Sequence, residues 1–113
     1  MFSATFIFEK KQYDAEFERL DARIAEAARS HPDFLGEDGW EDPRTGRSAV
    51  VYYWRTLDGI QALARDGHHI EAKRGYAQWY KGYHVVIAQV LRAYGDGTFD
   101  HPVPPGTGAM QTA

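Results

Sequence analysis

With 113 residues, 43% of them hydrophobic and 26% charged, the chain has material for one core and not for two. A formal charge of −3 provides no basic field for nucleic acid, and the absence of cysteine removes disulfides, thiolate nucleophiles and thiolate metal sites. No apolar run approaches the roughly 20 residues that cross a bilayer, and the first residues lack the basic start and cleavage site of a secretion signal, so the expectation is a cytoplasmic protein with no membrane partner.

Taken in chain order, Phe2 to Glu9 predicts a strand, with Phe2, Ala4, Phe6 and Phe8 on one face and Ser3, Thr5 and Ile7 on the other. A helix is expected from Tyr13 to Ser30. Tyr13, Phe17, Leu20, Ile24 and Ala27 recur at spacings of three and four, and the opposite face is charged. His31-Pro32 ends it, because proline disfavours the helical conformation of the residue before it. Phe34 to Glu41 reads as a second strand, Asp42 to Gly46 as a turn with Pro and Gly chemistry, and Arg47 to Arg55 as a third strand completing a hairpin. Thr56 is placed to cap a second helix with Ile60, Leu63 and Ala64 inward. Gly67 should bend or break that helix, which resumes from His68 to about Lys81. His84 to Tyr94 is expected as the last strand, apolar on both faces and so covered on both sides.

The order β-α-β-β-α-β is that of the ferredoxin-like α+β fold, a four-stranded antiparallel sheet with helices on one side. Strands with two apolar faces need a second covering layer. A homodimer whose sheets close into a dimeric α/β barrel is the simplest one. Residues 1–94 form the expected domain, and residues 95–113 a Gly- and Pro-rich tail with Phe99, Pro102 and Val103 as expected anchors.

Several segments resemble the antibiotic biosynthesis monooxygenase domain family. Pro32-Asp33-Phe34-Leu35-Gly36-Glu37 is similar to the family's entry to its second strand. Val51-Tyr52-Tyr53-Trp54-Arg55 followed by Ile60, Ala62 and Leu63 is similar to its third strand and the helix after it. His69, Ala72, Lys73, Arg74, Gly75, Trp79, Tyr80 and Tyr83 resemble its next helix. The resemblance covers roughly residues 2–94 and implies the dimeric barrel and a small-molecule substrate. It also implies a monooxygenase that uses oxygen with no cofactor and no metal. Asp66 stands where many relatives have a histidine. In the haem-degrading branch a tryptophan and a haem-ligating histidine are expected where this chain has Leu63 and Lys73, which disfavours haem; His68 or His69 could substitute from a neighbouring turn.

Cofactor-free oxygenation needs a phenol or enol held in a dry aromatic pocket and deprotonated, so that its anion can reduce oxygen directly. What the resemblance implies about roles follows from that need. His69 is the candidate base, since an imidazole titrates near neutrality. Trp54 and Trp79 are candidate walls, Tyr52 and Tyr83 candidate orienting groups, and Arg74 or Arg55 a candidate anion stabiliser. Each residue also has a packing reading: Trp54 as a buried strand-end indole, Trp79, Tyr80 and Tyr83 as a sheet-facing stripe, and His69 as a structural or surface histidine. The adjacent pair His68-His69 points about 100° apart on a helix, unsuited to one metal ion. A non-catalytic small-molecule binder is the second reading.

Overall fold

The computed structural model describes residues 1–108, and of His68 the backbone alone. The elements run β1 (Phe2–Lys10), α1 (Ala15–Ser30), β2 (Phe34–Asp42), β3 (Arg47–Trp54), α2 (Leu57–Ala64), α3 (Gly67–Arg74), α4 (Tyr76–Trp79) and β4 (Tyr80–Gln89). The strands form one antiparallel sheet in the order β2-β3-β1-β4, the ferredoxin-like topology expected from the sequence. Hairpin β2–β3 turns where the Pro and Gly chemistry places it. Asp42 accepts the backbone N–H groups of Gly46 (2.8 Å, carbonyl) and Arg44 (2.9 Å, side chain), and Gly46 takes the left-handed φ of +74° that closes the turn.

Strand register fixes the two faces. Phe2 pairs with Trp54, Ala4 with Tyr52 and Phe6 with Val50, so this set shares one face. Helices cover that face. The α2 backbone at Gly59 lies against the Trp54 ring, and His31 at the end of α1 meets it edge-on with ring centroids 5.8 Å apart. A second cluster joins Phe17 and Leu20 of α1 to Trp79, with Tyr13, Ala72 and Tyr80 packed around it. Helix α1 starts on Asp14, whose side chain accepts the Phe17 N–H at 2.8 Å.

The second half departs from the sequence expectation. The helix foreseen from His68 to Lys81 stops at Arg74, gives one further turn at Tyr76–Trp79, and becomes strand at Tyr80. Strand β4 is therefore Tyr80–Gln89 and not His84–Tyr94, and Tyr80 and Tyr83 belong to the sheet. The cause is pairing. Lys10 sits opposite Tyr80 and Phe8 opposite Tyr83, and that ladder outweighs the helical spacing of the aromatics. Within this chain β4 is also not covered on both sides, since Val85, Val86 and Ile87 are each close to half exposed. Ala64, expected inward, faces solvent.

Beyond β4 the chain closes on itself. Ala93 donates to Thr107 and accepts from Gly106, both at 2.9 Å, so residues 93–107 form a compact loop. The loop docks on the face opposite the helices. His101 stacks edge-on against Tyr53 at 5.0 Å, Pro102 lies against Gly36, and Val103 is buried. Two of the three expected anchors hold there, Pro102 and Val103, whereas Phe99 stands in solvent. Residues 109–113 of the expected tail lie outside the described residues.

Candidate functional site

The helix-covered face contains a cavity of about 180 Å³ at the Trp54 end of β3, lined by Ala27, His31, Trp54, Gly59, Ala62, Leu63 and Asp66. The elements that build it follow from local sequence. Pro32 holds His31 out of the helix at φ −77°, ψ 133°, which ends α1 and leaves the imidazole beside the Trp54 indole. Asp33 is tied to the start of α2 by its carboxylate, which accepts the Thr56 hydroxyl at 2.5 Å, and its carbonyl accepts the Arg55 N–H at 2.7 Å. Thr56 thus stands at the N-cap position foreseen for it, but spends its hydroxyl on Asp33 and makes no capping bond.

Trp54 is 1% exposed, and its Nε1–H is buried without a hydrogen-bond partner. Burying an indole removes about 150–250 Å² from water, a gain of about 4–6 kcal/mol. An unpaired N–H costs about 1–3 kcal/mol, so the fold carries this orphan donor at a net gain. The His31 ring has a fixed polarity. Its Nδ1 accepts the Asp33 backbone N–H at 3.1 Å, so in the neutral ring the proton resides on Nε2. Asp66 is the carboxylate of the wall, and its Oδ1 accepts the His69 backbone N–H at 3.3 Å at the start of α3.

Of the candidate catalytic and substrate-binding residues named from the sequence, only Trp54 lines this cavity. Tyr52 is its neighbour on the same face, ring centroids 6.4 Å apart. The Tyr52 phenol is pushed up to about 12 by burial, reinforced by the Glu37 carboxylate, so near neutrality it is a hydrogen-bonding group and not a base. His69 lies one turn beyond the wall, and burial and the Lys73 ammonium lower its pKa against the pull of Asp66. Trp79 is buried in the α1 cluster with its N–H donated to Asp14. Arg74 and Arg55 are exposed. Tyr83 stacks on Phe6 at 5.7 Å and lines a separate open groove of about 430 Å³ with Phe8, Arg47 and His84. Tyr83 pairs with Phe8 and Trp54 with Phe2, six residues along β1, which separates them by about 20 Å. One small ligand does not touch both.

Sequence reading missed His31, taken there only as a helix stop. The signal was the His-Pro step itself, which turns an imidazole back over the strand end. Leu63, aligned to the haem branch, lies on the cavity wall, and Lys73 is exposed. The cavity is comparable to the ~150 Å³ that accepts one benzene ring, so a porphyrin does not fit. His68, the other imidazole considered for iron, has its side chain outside the described residues. Among the described residues no group of three or more His, Asp or Glu stands where it could hold a metal ion, and no helix is long and apolar enough to cross a membrane.

Comparison with known proteins supports the same architecture. No protein-family profile matches the chain. A relative from Bacillus subtilis, the uncharacterized protein YqjZ, is 29% identical over 92 residues, covering 80% of either chain. Among solved structures, SnoaB from Streptomyces nogalater, a cofactor-independent oxygenase, aligns with a TM-score of 0.64 at 13% identity over 81% of this chain and 94% of its own. An antibiotic biosynthesis monooxygenase aligns at 0.60 with 16% identity, over 80% and 98%. PA3566 from Pseudomonas aeruginosa aligns at 0.61 with 15% identity, over 80% and 93%. The chain has the fold of antibiotic biosynthesis monooxygenases, as the resemblance in its sequence implied.

Proposed function

We propose that the chain is a cofactor-independent monooxygenase acting with molecular oxygen on a small aromatic or enolic compound, bound in the cavity beneath α2. The observation that supports this reading is the cavity itself, about 180 Å³ and walled by Trp54, His31 and Leu63 with the Asp66 carboxylate among its lining residues. The reaction balances without a reductant. A methylene activated by a phenol or enol loses two hydrogens and gains one oxygen atom to become a carbonyl, and the second oxygen atom leaves as water with those hydrogens. The protein's tasks are to exclude bulk water, orient the ring and take the first proton, after which the electron-rich anion reduces oxygen.

Trp54 supplies an aromatic wall, and Tyr52 beside it stays protonated. The base is drawn from Asp66 on the wall and His69, whose N–H Asp66 accepts. Trp79, buried with its N–H on Asp14, and Tyr83, in the separate groove, have no part in the proposal, nor has the exposed Arg74. We include a homodimer in it, because Val86 of β4, nearly half exposed on the face opposite the helices, calls for a second layer, and a cytoplasmic setting.

Oxygen uptake with single-ring quinol- and enol-type compounds in metal-free buffer tests the reading. Turnover that falls at least tenfold in one of Asp66→Asn and His69→Gln is expected, and the variant that loses it identifies the base. Absence of uptake with every compound that binds would make the chain a non-catalytic small-molecule binder.

A further inference from the structure

We infer that Phe99 of one copy docks into the groove beside Gly82 of a second copy, so that the closed loop beyond β4 is a contact element between two chains. The inference deepens the homodimer included above and rests on it, but not on the oxygenase chemistry.

Four observations carry it. The first is the loop, which is ordered. Ala93 is bonded to Gly106 and Thr107, and His101, Pro102 and Val103 pin the loop to the sheet. Just ahead of Phe99, Asp96 Oδ1 accepts the Thr98 N–H at 3.0 Å. Phe99 is nevertheless 77% exposed, which leaves roughly 100–200 Å² of aromatic surface in water for a partner to cover. The second is a groove that can receive it. Phe8 and Tyr83 pair on the helix-covered face, so by alternation Ile7, Glu9, Arg47, Gly82 and His84 stand on the opposite one. Gly82 has open space where a side chain would stand, and the groove there, about 430 Å³, exceeds the ~150 Å³ that accepts one benzene ring. The third is charge. Asp96 and Asp100 bracket Phe99, whereas the groove is lined by Arg47 and Lys81 against Glu9 alone. Leu91 and Tyr94 are about as exposed as Phe99 but are not bracketed by acids. The fourth is reach. His101, two residues after Phe99, is held against Tyr53, which pairs with Ser3; Gly82 pairs with Glu9, six residues along β1 and about 20 Å away. Two residues span at most about 7 Å, so the docked loop cannot bring Phe99 to the groove of its own chain. The occupant is a second copy, and in a two-fold dimer the contact forms twice.

Sedimentation equilibrium of the full chain tests it. Phe99→Ser removes an exposed ring, so circular dichroism should not change, while the dimer is expected to weaken by about tenfold or more, as truncation of a docked aromatic does. Lys81→Glu and Asp100→Lys, both at exposed positions, are each expected to weaken it by about threefold, and their combination to recover most of that loss. A Phe99→Ser dimer as tight as the natural one, or charge effects that add where they should cancel, overturns the inference. A dimer that survives Phe99→Ser and is lost in Val86→Lys removes only the insertion and keeps the homodimer. A natural chain that stays monomeric at all concentrations removes both.

Discussion

One oxygen of Asp14 serves two partners: Oδ1 accepts the Phe17 backbone N–H at 2.8 Å, capping α1, and the Trp79 indole N–H at 3.0 Å. The residue that starts the first helix therefore also fixes the tryptophan that ends α4, 65 residues later. Asp14→Ala removes the cap and leaves a buried indole donor unpaired. The expected loss is about 2–4 kcal/mol by denaturant unfolding, the sum of a cap at about 1 and an orphaned donor at about 1–3. Asp14→Asn, which keeps the acceptor oxygen, should recover most of it. A loss under 1 kcal/mol for the alanine variant would mean that the bifurcated contact contributes little.

Gly59→Ala should destabilise although it lies inside a helix. At an ordinary helical site alanine gains about 0.5–1 kcal/mol over glycine. Here the new methyl group meets Trp54 Cε3, and Cζ3 at 2.8 Å, in a ring that is 1% exposed and has little room to retreat. Overpacking of this kind costs about 1–3 kcal/mol, so thermal unfolding is expected at lower temperature. Trp54 fluorescence should shift with it. A higher melting temperature would show that the helix can slide away from the ring.

Val103→Ala tests the docked loop. Val103 is buried although it follows the last strand by more than a dozen residues, and on the face where the loop docks Val51 is buried too. Removing two methyl groups should cost about 1–2 kcal/mol. It should also raise proteolytic cleavage near Phe99, which is already exposed. Unchanged stability would mean that the loop rests on the sheet without supporting it.

The first half of the chain was legible because each element there carries one period only. The Phe2–Phe8 alternation, the α1 stripe from Phe17 to Ala27, and the Asp42–Gly46 turn each specify one local structure, and the structure agrees within a residue or two. From Gly67 onward the cues conflict. Trp79, Tyr80 and Tyr83 have helical spacing, whereas Val85, Val86 and Ile87 have β-branched strand character, and only pairing with β1 decides where helix yields to strand. Gly75 was the overlooked punctuation. It lets the Trp79 ring pack against the backbone at the point where α3 stops. For the site, Trp54 was legible as a strand-end indole. The cavity partners His31 and Asp66 were not, since they come from a helix stop and a helix cap that only the tertiary fold brings together.

His69 predicts a pH dependence. Burial and Lys73 lower its folded pKa below the ordinary value of about 6.5. Between those two values the unfolded chain binds more protons than the folded one, so stability falls as pH falls through that window and is fully present above it. Unfolding midpoints measured from pH 7.5 to 5 should drop, and His69→Gln should flatten the part of the slope due to this group. An identical slope in the variant would assign the acid sensitivity elsewhere.

Val86→Lys tests the proposed homodimer on the sheet face that the helices leave open. Val86 pairs with Thr5, which pairs in turn with Val51, so it lies on the face opposite the helices. It stands on β4, an edge strand whose stretch from His84 to Gln89 has neither Asp, Glu, Lys or Arg nor proline to discourage pairing. A lysine there would bury its charge in any face-to-face or edge-to-edge contact, yet it would cost the isolated fold little because the position is nearly half exposed. Sedimentation is expected to give a dimer for the natural chain and at least a tenfold weaker one for the variant, with unchanged circular dichroism. A natural chain that remains monomeric at all concentrations would leave β4 exposed in solution and remove the dimer from the proposal. It would not touch the cavity between α1, α2 and the end of β3, which is argued from Trp54, His31 and Asp66 without reference to β4.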